Sequence, residues 1–272
     1  MREATAFVPG HVTGFFAPNP HEDPLRAGSR GGGVALTDGV DVTVSEGSGV
    51  TLDGDPVEVA SVERVLAALD VEARVDCETP LPLGVGFGVS GAMALGTALA
   101  AAAAFDLERS ENELVGVAHR AEVNAGTGLG DVVAQARGGV PLRVEPGGPE
   151  HGEMDGVPGR SRVEYLPLGE LSTADTLAGD TDALATAGER ALARVHETPT
   201  LATFADASRS FAEAVGLLTD DLRDVLAAVD DVGGTASMAM LGETAFCLGD
   251  GLSAAGYDPA VCEIHPAGAV LR

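Results

Sequence analysis

The chain has 272 residues, 45% of them hydrophobic, and a formal net charge of −26. That apolar content excludes wholesale disorder and suffices for one large packed domain or two small ones. Its 42 acidic residues face 16 basic ones, all arginine, which argues against a nucleic-acid partner because phosphates must be neutralised by cations.

The acids are spread along the chain rather than gathered into a tail. They predict a surface suited to a cytoplasm at molar salt, where the screening length falls to roughly 3 Å and self-repulsion is tolerable. The absence of lysine excludes a Walker P-loop, a protein-kinase strand lysine and Schiff-base chemistry. Cys77, Cys247 and Cys262 are too far apart for a CxxC zinc pair and are expected as reduced, buried thiols. "MREATAFVPGH" lacks the pattern of a signal peptide, and the longest apolar run, residues 92–105, is too short to span a bilayer. A soluble cytoplasmic protein with no membrane partner is expected.

In chain order, "ATAFVPG" reads as a strand closed by Pro9-Gly10, and "GGGVALTDGVDVTVSEG" as two strands around a turn at Asp38-Gly39. "VEARVDCETPLPLG" continues the β pattern through the alternation of Val71, Ala73 and Val75. Residues 90–105, rich in Ala, Leu and Met, predict a buried helix. A second helix follows in "RSENELVGVAHRAEVNAG", with Ser110 and Glu113 as a capping box and Gly126 as its stop. After it come a loop, a short helix from Asp131, a turn at Gly138-Gly139 and a strand.

The polar, Gly/Pro-rich "PGGPEHGEMDGVPGRS" marks a domain boundary or excursion. Beyond it, "TADTLAGDTDALATAGERALARVHE" and "TLATFADASRSFAEAVGLLTDDLRDVLAAVDDV" carry apolar residues at helical spacing. "TAFCLGDG" and "AVCEIHPAGAV" read as strands that close a small α+β unit.

The stretch that bears on chemistry is "PLPLGVGFGVSGAMALG", residues 80–96. A helix start offers unpaired amides and partial positive charge to a phosphate, and Gly84, Gly86 and Gly88 let backbone approach without a Cβ. Taken alone, a glycine loop before an Ala-rich helix more often serves packing.

The order of further segments changes that balance. "PLPLGVGFGVSGA" resembles the second motif of the GHMP kinases, and "FVPGHVTGFF" resembles their first. "DDVGGTASMAMLGETAF" sits where their third glycine turn belongs, and "GTGLGDVVAQARGG" resembles the acidic segment between. Within that family, "DPLRAGSRGGGV", "AHRAEVNAGTGLGDVVAQARGGVPLRVEPG", "LGELSTADTL" and "SMAMLGETAF" resemble the archaeal pantoate kinases over nearly the full length. The pattern departs from the wider family at Phe87 and Val89, in a third motif reduced to Gly233-Gly234 and Ser237, and in a short Glu122–Asp131 spacing.

The resemblance implies an α+β, two-domain GHMP kinase fold. A ribosomal S5 domain 2-like unit would span residues 1–148, and a ferredoxin-like unit residues 149–272. ATP would bind in the cleft between them. It implies ATP-dependent phosphorylation of pantoate to 4-phosphopantoate on the route to coenzyme A, with Mg²⁺. Nucleotide contacts fall on Pro82, Gly84, Gly86, Phe87, Gly88, Val89, Ser90, Gly91 and Ala92, and the metal on Ser90 and Glu122.

Asp131 is the expected base or orienting acid, against the plain reading of an N-cap for a helix beginning at Val132. Read singly, Glu122 is a solvated helix acid and His119 a surface or satisfied core residue. With the resemblance, Glu122 joins the metal and His119 the substrate. A substrate carboxylate calls for an arginine fork, with Arg143 first and Arg30 and Arg26 behind, Ser29 as hydroxyl partner and Thr173 as a further donor or a helix cap. His11 and Thr13 line the pocket or merely turn the chain into the core. A homodimer is the oligomeric expectation. The competing readings are another GHMP-type kinase acting on homoserine or a mevalonate-like acceptor, and a GHMP-fold protein that binds ligand without catalysis.

Overall fold

The computed structural model describes residues 2–169, 181–240 and 242–272. Two long strands, β1 (Glu3–Asn19) and β2 (Gly28–Ser45), pair antiparallel along almost their whole length. β3 (Gly49–Leu52), β4 (Asp55–Pro56), β5 (Arg74–Glu78), β6 (Val140–Glu145), β7 (Glu153–Val157) and β12 (Val270–Leu271) complete the first sheet. Its path runs β12-β1-β2-β5-β3-β4, with β6 on β2 and β7 on β6.

Pro9-Gly10 does not close a strand, nor does Asp38-Gly39 make a turn. The register steps from Pro9↔Gly39 to Gly10↔Leu36, leaving Thr37 and Asp38 unopposed in β2. That bulge bends one continuous ribbon, and a proline at such an irregularity forfeits no ladder bond that the sheet depends on.

Four helices belong to this half: α1 (Ala60–Leu69), α2 (Val89–Ala104), α3 (Glu111–Ala125) and α4 (Asp131–Arg137). α2 lies on β1 and β2 with α1 and α3 beside it, and is buried nearly all round, as its continuous Ala/Leu/Met content requires. Ser110 caps α3 with both bonds of the Ser-x-x-Glu box, and Gly126 ends it at φ 72°. Asp131 is the first residue of α4 rather than its cap. Gly130 holds the cap position and no side chain bonds there.

The Gly/Pro-rich stretch expected to separate two domains contains β7, which hydrogen-bonds to β6. The chain passes to the second sheet only after Val157, and returns at its end to pair β12 with β1. The second sheet is antiparallel, in the order β11 (Ala260–Glu263), β8 (Arg162–Gly169), β10 (Glu243–Leu248), β9 (Ala236–Ala239). With it go α5 (Thr181–Glu197), α6 (Leu201–Ala214), α7 (Asp220–Asp231) and the single turn α8 (Gly251–Ala254).

β1 serves both halves. α2 packs against it, and so do α5 and α6. Phe15 meets Phe204 at 5.7 Å between ring centroids and Phe16 meets Phe211 at 5.9 Å. α5 approaches so closely that a Cβ on Gly188 would sit 2.1 Å from the Phe16 carbonyl oxygen. Cys77, Cys247 and Cys262 are buried free thiols. Among the described residues no helix is long and apolar enough to cross a membrane.

Candidate active site

The glycine loop is open toward a cleft. Gly84, Gly86 and Gly88 take φ values of 83°, 96° and 62°, a region that side chains disfavour. Gly88 opens α2 without any side-chain cap, which leaves the first amides of that helix available to a ligand. The cleft holds about 520 Å³, and its walls include Thr13, Ser61, Gly84, Gly86, Gly88, Ser90, Thr127 and Asp131.

Its far wall comes from the second half. Met240 lines it, and Gly242 packs so tightly on the loop that a Cβ there would fall 1.9 Å from the Val85 carbonyl oxygen. Thr244 donates to that same carbonyl at 2.9 Å, and the Met240 amide donates to the Thr13 carbonyl at 2.9 Å. Gly233-Gly234, the expected remnant of a third motif, instead ends α7 through bonds to Asp230 and Val229. The loop is met by residues 240 and 242, six or more positions further on.

Two acids converge under the loop. Glu122 is 2% exposed on α3, and Ser90 Oγ lies 3.1 Å from each of its carboxylate oxygens. Burial pushes the Glu122 carboxyl up, and the Asp131 charge adds to this, while the hydroxyls of Ser61, Thr127 and Ser90 oppose it. Asp131 lies against the start of α2: a Cβ on Gly88 would come 3.2 Å from Asp131 Cβ. A methyl on Gly128 would lie 2.7 Å from Glu122 Oε2 and 3.4 Å from Asp131 Oδ2, so both carboxylates point at the space above that glycine.

Burial works against the Asp131 charge, yet the hydrogen bond from His11, the Arg143 charge and Thr13 hold the carboxyl below the usual range. His11 Nδ1 is 2.7 Å from Asp131 Oδ1, and Thr13 Oγ1 is 3.5 Å from the same oxygen. Burial lowers the His11 pKa, against the raising effect of the Asp131 carboxylate beside it.

Arg143, on β6, is 2% exposed. Its Nε donates to the Ser29 carbonyl at 3.2 Å, and among the described residues its buried Nη1 has no partner. A Cβ on Gly130, next to Asp131, would fall 2.5 Å from Arg143 Nε and 2.9 Å from Ser29 Oγ. Arg143 and Ser29 therefore meet at Gly130, the residue before Asp131.

The other expected residues divide. Arg30, on the opposite face of β2 from Ser29, is engaged by the Val144 carbonyl, Glu145 and Glu189. His119 is 1% exposed and donates through Nε2 to the Ala27 carbonyl at 2.9 Å, the bonding of a satisfied core histidine that holds the start of β2. Phe87, also at the cleft, is 1% exposed and packs its ring edge-on to Tyr165 at 4.7 Å. Pro82 is exposed, while Gly91 and Ala92 are buried in α2, with Gly91 facing Gln135. Val89 and Ser90 stay at the cleft. Thr173 lies outside the described residues.

Gln135 was not singled out by the sequence, yet its Nε2 donates to the Gly88 carbonyl at 3.0 Å and so fixes the start of α2 from α4. A glutamine in a short helix carries no local signal of that contact.

Comparison with known proteins adds to this geometry. Residues 58–139, which include the glycine loop and both acids, match the GHMP kinases N terminal domain. The chain is 38% identical over 259 residues to the pantoate kinase of Thermococcus kodakarensis, covering 89% of this chain and 86% of that one. It is 34% identical over 260 residues to the pantoate kinase of Methanospirillum hungatei, covering 92% and 88%. A solved phosphotransferase related to the CoA biosynthesis pathway superposes with a TM-score of 0.89 at 33% identity, over 99% of this chain and 98% of that one.

Proposed function

The chain belongs to the GHMP kinase family, among the pantoate kinases, and from that membership we propose that it transfers the γ-phosphoryl group of ATP to the terminal hydroxyl of pantoate. The observation that carries the reading is the seating of Asp131 against Gly88. An ionised acid stands beside the amides that would hold a triphosphate.

The uncapped start of α2 and the loop backbone bind the phosphates. Arg143, with Ser29 beside it, pairs with the pantoate carboxylate through the donor it leaves unused. Asp131 then receives the proton of the acceptor hydroxyl as that oxygen bonds to the γ-phosphorus. The bond from phosphorus to the bridging oxygen breaks, and ADP keeps the electron pair.

Ser90 and Glu122 fit Mg²⁺, because a hydroxyl and a buried carboxylate without a cationic partner are the hard oxygens it takes alongside phosphate and water. When bound there, Mg²⁺ supplies neutralisation of phosphate charge that no lysine can provide. The acidic surface supports a setting of high salt, and a homodimer remains the proposed assembly.

The test is ADP release in molar KCl with Mg²⁺ and a panel of acceptors. Pantoate alone should sustain turnover, with phosphorus NMR placing the new ester on its terminal hydroxyl. Turnover on homoserine or mevalonate without turnover on pantoate refutes the substrate assignment.

A further inference from the structure

We propose that His11 is a positioning residue for phosphoryl transfer: it holds Asp131 by Oδ1 and leaves Oδ2 as the only oxygen presented to the acceptor hydroxyl. The inference rests on the reading of Asp131 given above. It is carried by a separate set of contacts.

His11 is tied to both reactive parts of the site at once. Its backbone N–H donates to the Phe87 carbonyl at 3.0 Å, one residue before Gly88 opens α2. Its side chain meets Asp131 Oδ1 at 2.7 Å, across 120 residues of sequence. One residue of β1 therefore sets the distance between the phosphate-facing amides and the acid. The two carboxylate oxygens of Asp131 are made different: Oδ1 faces His11 and Thr13, and Oδ2 faces the space above Gly128 where Glu122 Oε2 also points.

The ring also shows which nitrogen carries the proton. His11 is fully buried, and among the described residues its Nε2 has no hydrogen-bond partner. A charged ring would bury an N–H with no acceptor, and a neutral ring protonated at Nε2 would do the same while facing the carboxylate with a lone pair. The Nδ1–H tautomer satisfies the carboxylate and leaves only a lone pair orphaned.

Gly33, across the ladder on β2, makes room for this. A Cβ there would fall 2.1 Å from His11 Nε2, so any side chain at 33 displaces the ring from Asp131. An interior histidine with one idle nitrogen, over a glycine that exists to admit it, is poorly explained by packing alone. During the reaction His11 keeps its proton and Oδ2 takes the one from the acceptor, so the ring neither gains nor loses charge.

The experiment compares His11→Leu with His11→Asn, whose side-chain amide replaces the Nδ1–H donor. His11→Leu should lower kcat about a hundredfold, with KM for ATP and pantoate within about twofold of wild type. His11→Asn should recover most of the loss. Unchanged kcat in His11→Leu, or equal losses in both variants with parallel rises in KM, overturns the proposal.

A second measurement stands apart from activity. In ¹⁵N-histidine-labelled wild-type protein, one buried imidazole should carry its proton on Nδ1, its signals vanishing in His11→Asn and shifting in Asp131→Asn. The other buried ring, His119, donates through Nε2 and supplies the opposite tautomer as an internal reference. An Nε2–H or doubly protonated His11 overturns the proposal even if no variant folds. Absence of pantoate turnover in wild type would sink the substrate reading while leaving this tautomer in place.

Discussion

Gly88 and Asp131 are in van der Waals reach of one another: a methyl on the glycine would lie 3.2 Å from the aspartate Cβ and 3.3 Å from its carboxyl carbon. The start of one helix and the start of another thus face the same small volume, one offering amides and the other a carboxylate. Asp131→Asn keeps the shape of that corner and removes the base. It should lower kcat by about 10²–10⁴-fold, the usual contribution of a positioned proton acceptor. The variant should remain folded, since Asp131 caps no helix and an asparagine oxygen still accepts from His11. Its melting temperature should be lowered, because buried Arg143 loses its counter-charge. Steady-state kinetics beside thermal melts checks both halves of that statement.

Gly128→Ala tests the convergence of the two acids. The backbone at 128 is not among the positive-φ glycines, so alanine is tolerated there. The new methyl would crowd Glu122 Oε2 at 2.7 Å. Displacing a reacting group by about 1 Å costs on the order of 10²-fold in rate. The expected result is a folded protein with kcat reduced by that order; wild-type turnover would show that the space above Gly128 is not used.

Arg143 and Arg30 are separated by what they already hold. Arg143→Lys removes the planar fork and should raise KM for pantoate about tenfold to a hundredfold, the value of a hydrogen bond to a charged group. KM for ATP should not move. Arg30→Ala should leave both constants unchanged, because its guanidinium is spent on Val144, Glu145 and Glu189. A pantoate KM that follows Arg30 rather than Arg143 reverses the assignment.

His119 and His11 give stability a slope on the acid side of neutrality. Burial depresses both folded pKa values below the ordinary 6.5. Below about that pH the unfolded chain takes up protons that the folded chain refuses, so stability is full above it and declines as pH falls toward the folded values. His119→Gln retains a donor for the Ala27 carbonyl and removes one of the two titrations. Thermal melts between pH 7.5 and about 5 should show a shallower decline in that variant than in wild type. Parallel declines would assign the slope elsewhere.

Salt should act on the whole surface. With −26 net charge and a screening length of about 10 Å at 0.1 M and 3 Å at 1 M, self-repulsion is relieved as KCl is raised. Melting temperature should climb steadily from 0.1 M to 2 M KCl. A flat or falling curve would remove the argument for a molar-salt setting.

What was legible in the sequence was local. Ser110, Glu113 and Gly126 bracket α3 by contacts within a few residues, and the chain realises all of them. The Ala-rich run after the glycine loop could only be a buried helix. Pro9-Gly10 and Asp38-Gly39 misled because their turn chemistry is the same whether a strand stops or bends at a bulge, and the partner strand decides which.

Glu122, Asp131 and Arg143 stood out in the sequence, and the fold brings them near one another around Gly128 and Gly130. His119 illustrates the limit. Its place on the same helix face as Glu122 was readable, but its bond to Ala27 depends on how the β1–β2 connection lies against α3. The bond from His11 to Asp131 and that from Gln135 to Gly88 join distant segments, and no spacing rule reports them.

The shared use of β1 has a consequence for how this molecule can be taken apart. The strand carries Thr13 to the cleft and His11 to Asp131, and then delivers Phe15 and Phe16 to partners on α6. Residues 1–157 produced alone would keep the glycine loop, both acids and Arg143. They would also leave that aromatic flank bare to water and β1 without its last neighbour, Val270–Leu271. A truncation that preserves nearly every chemical group would therefore be expected to precipitate rather than work, because the spine of the reactive half is also the floor of the other.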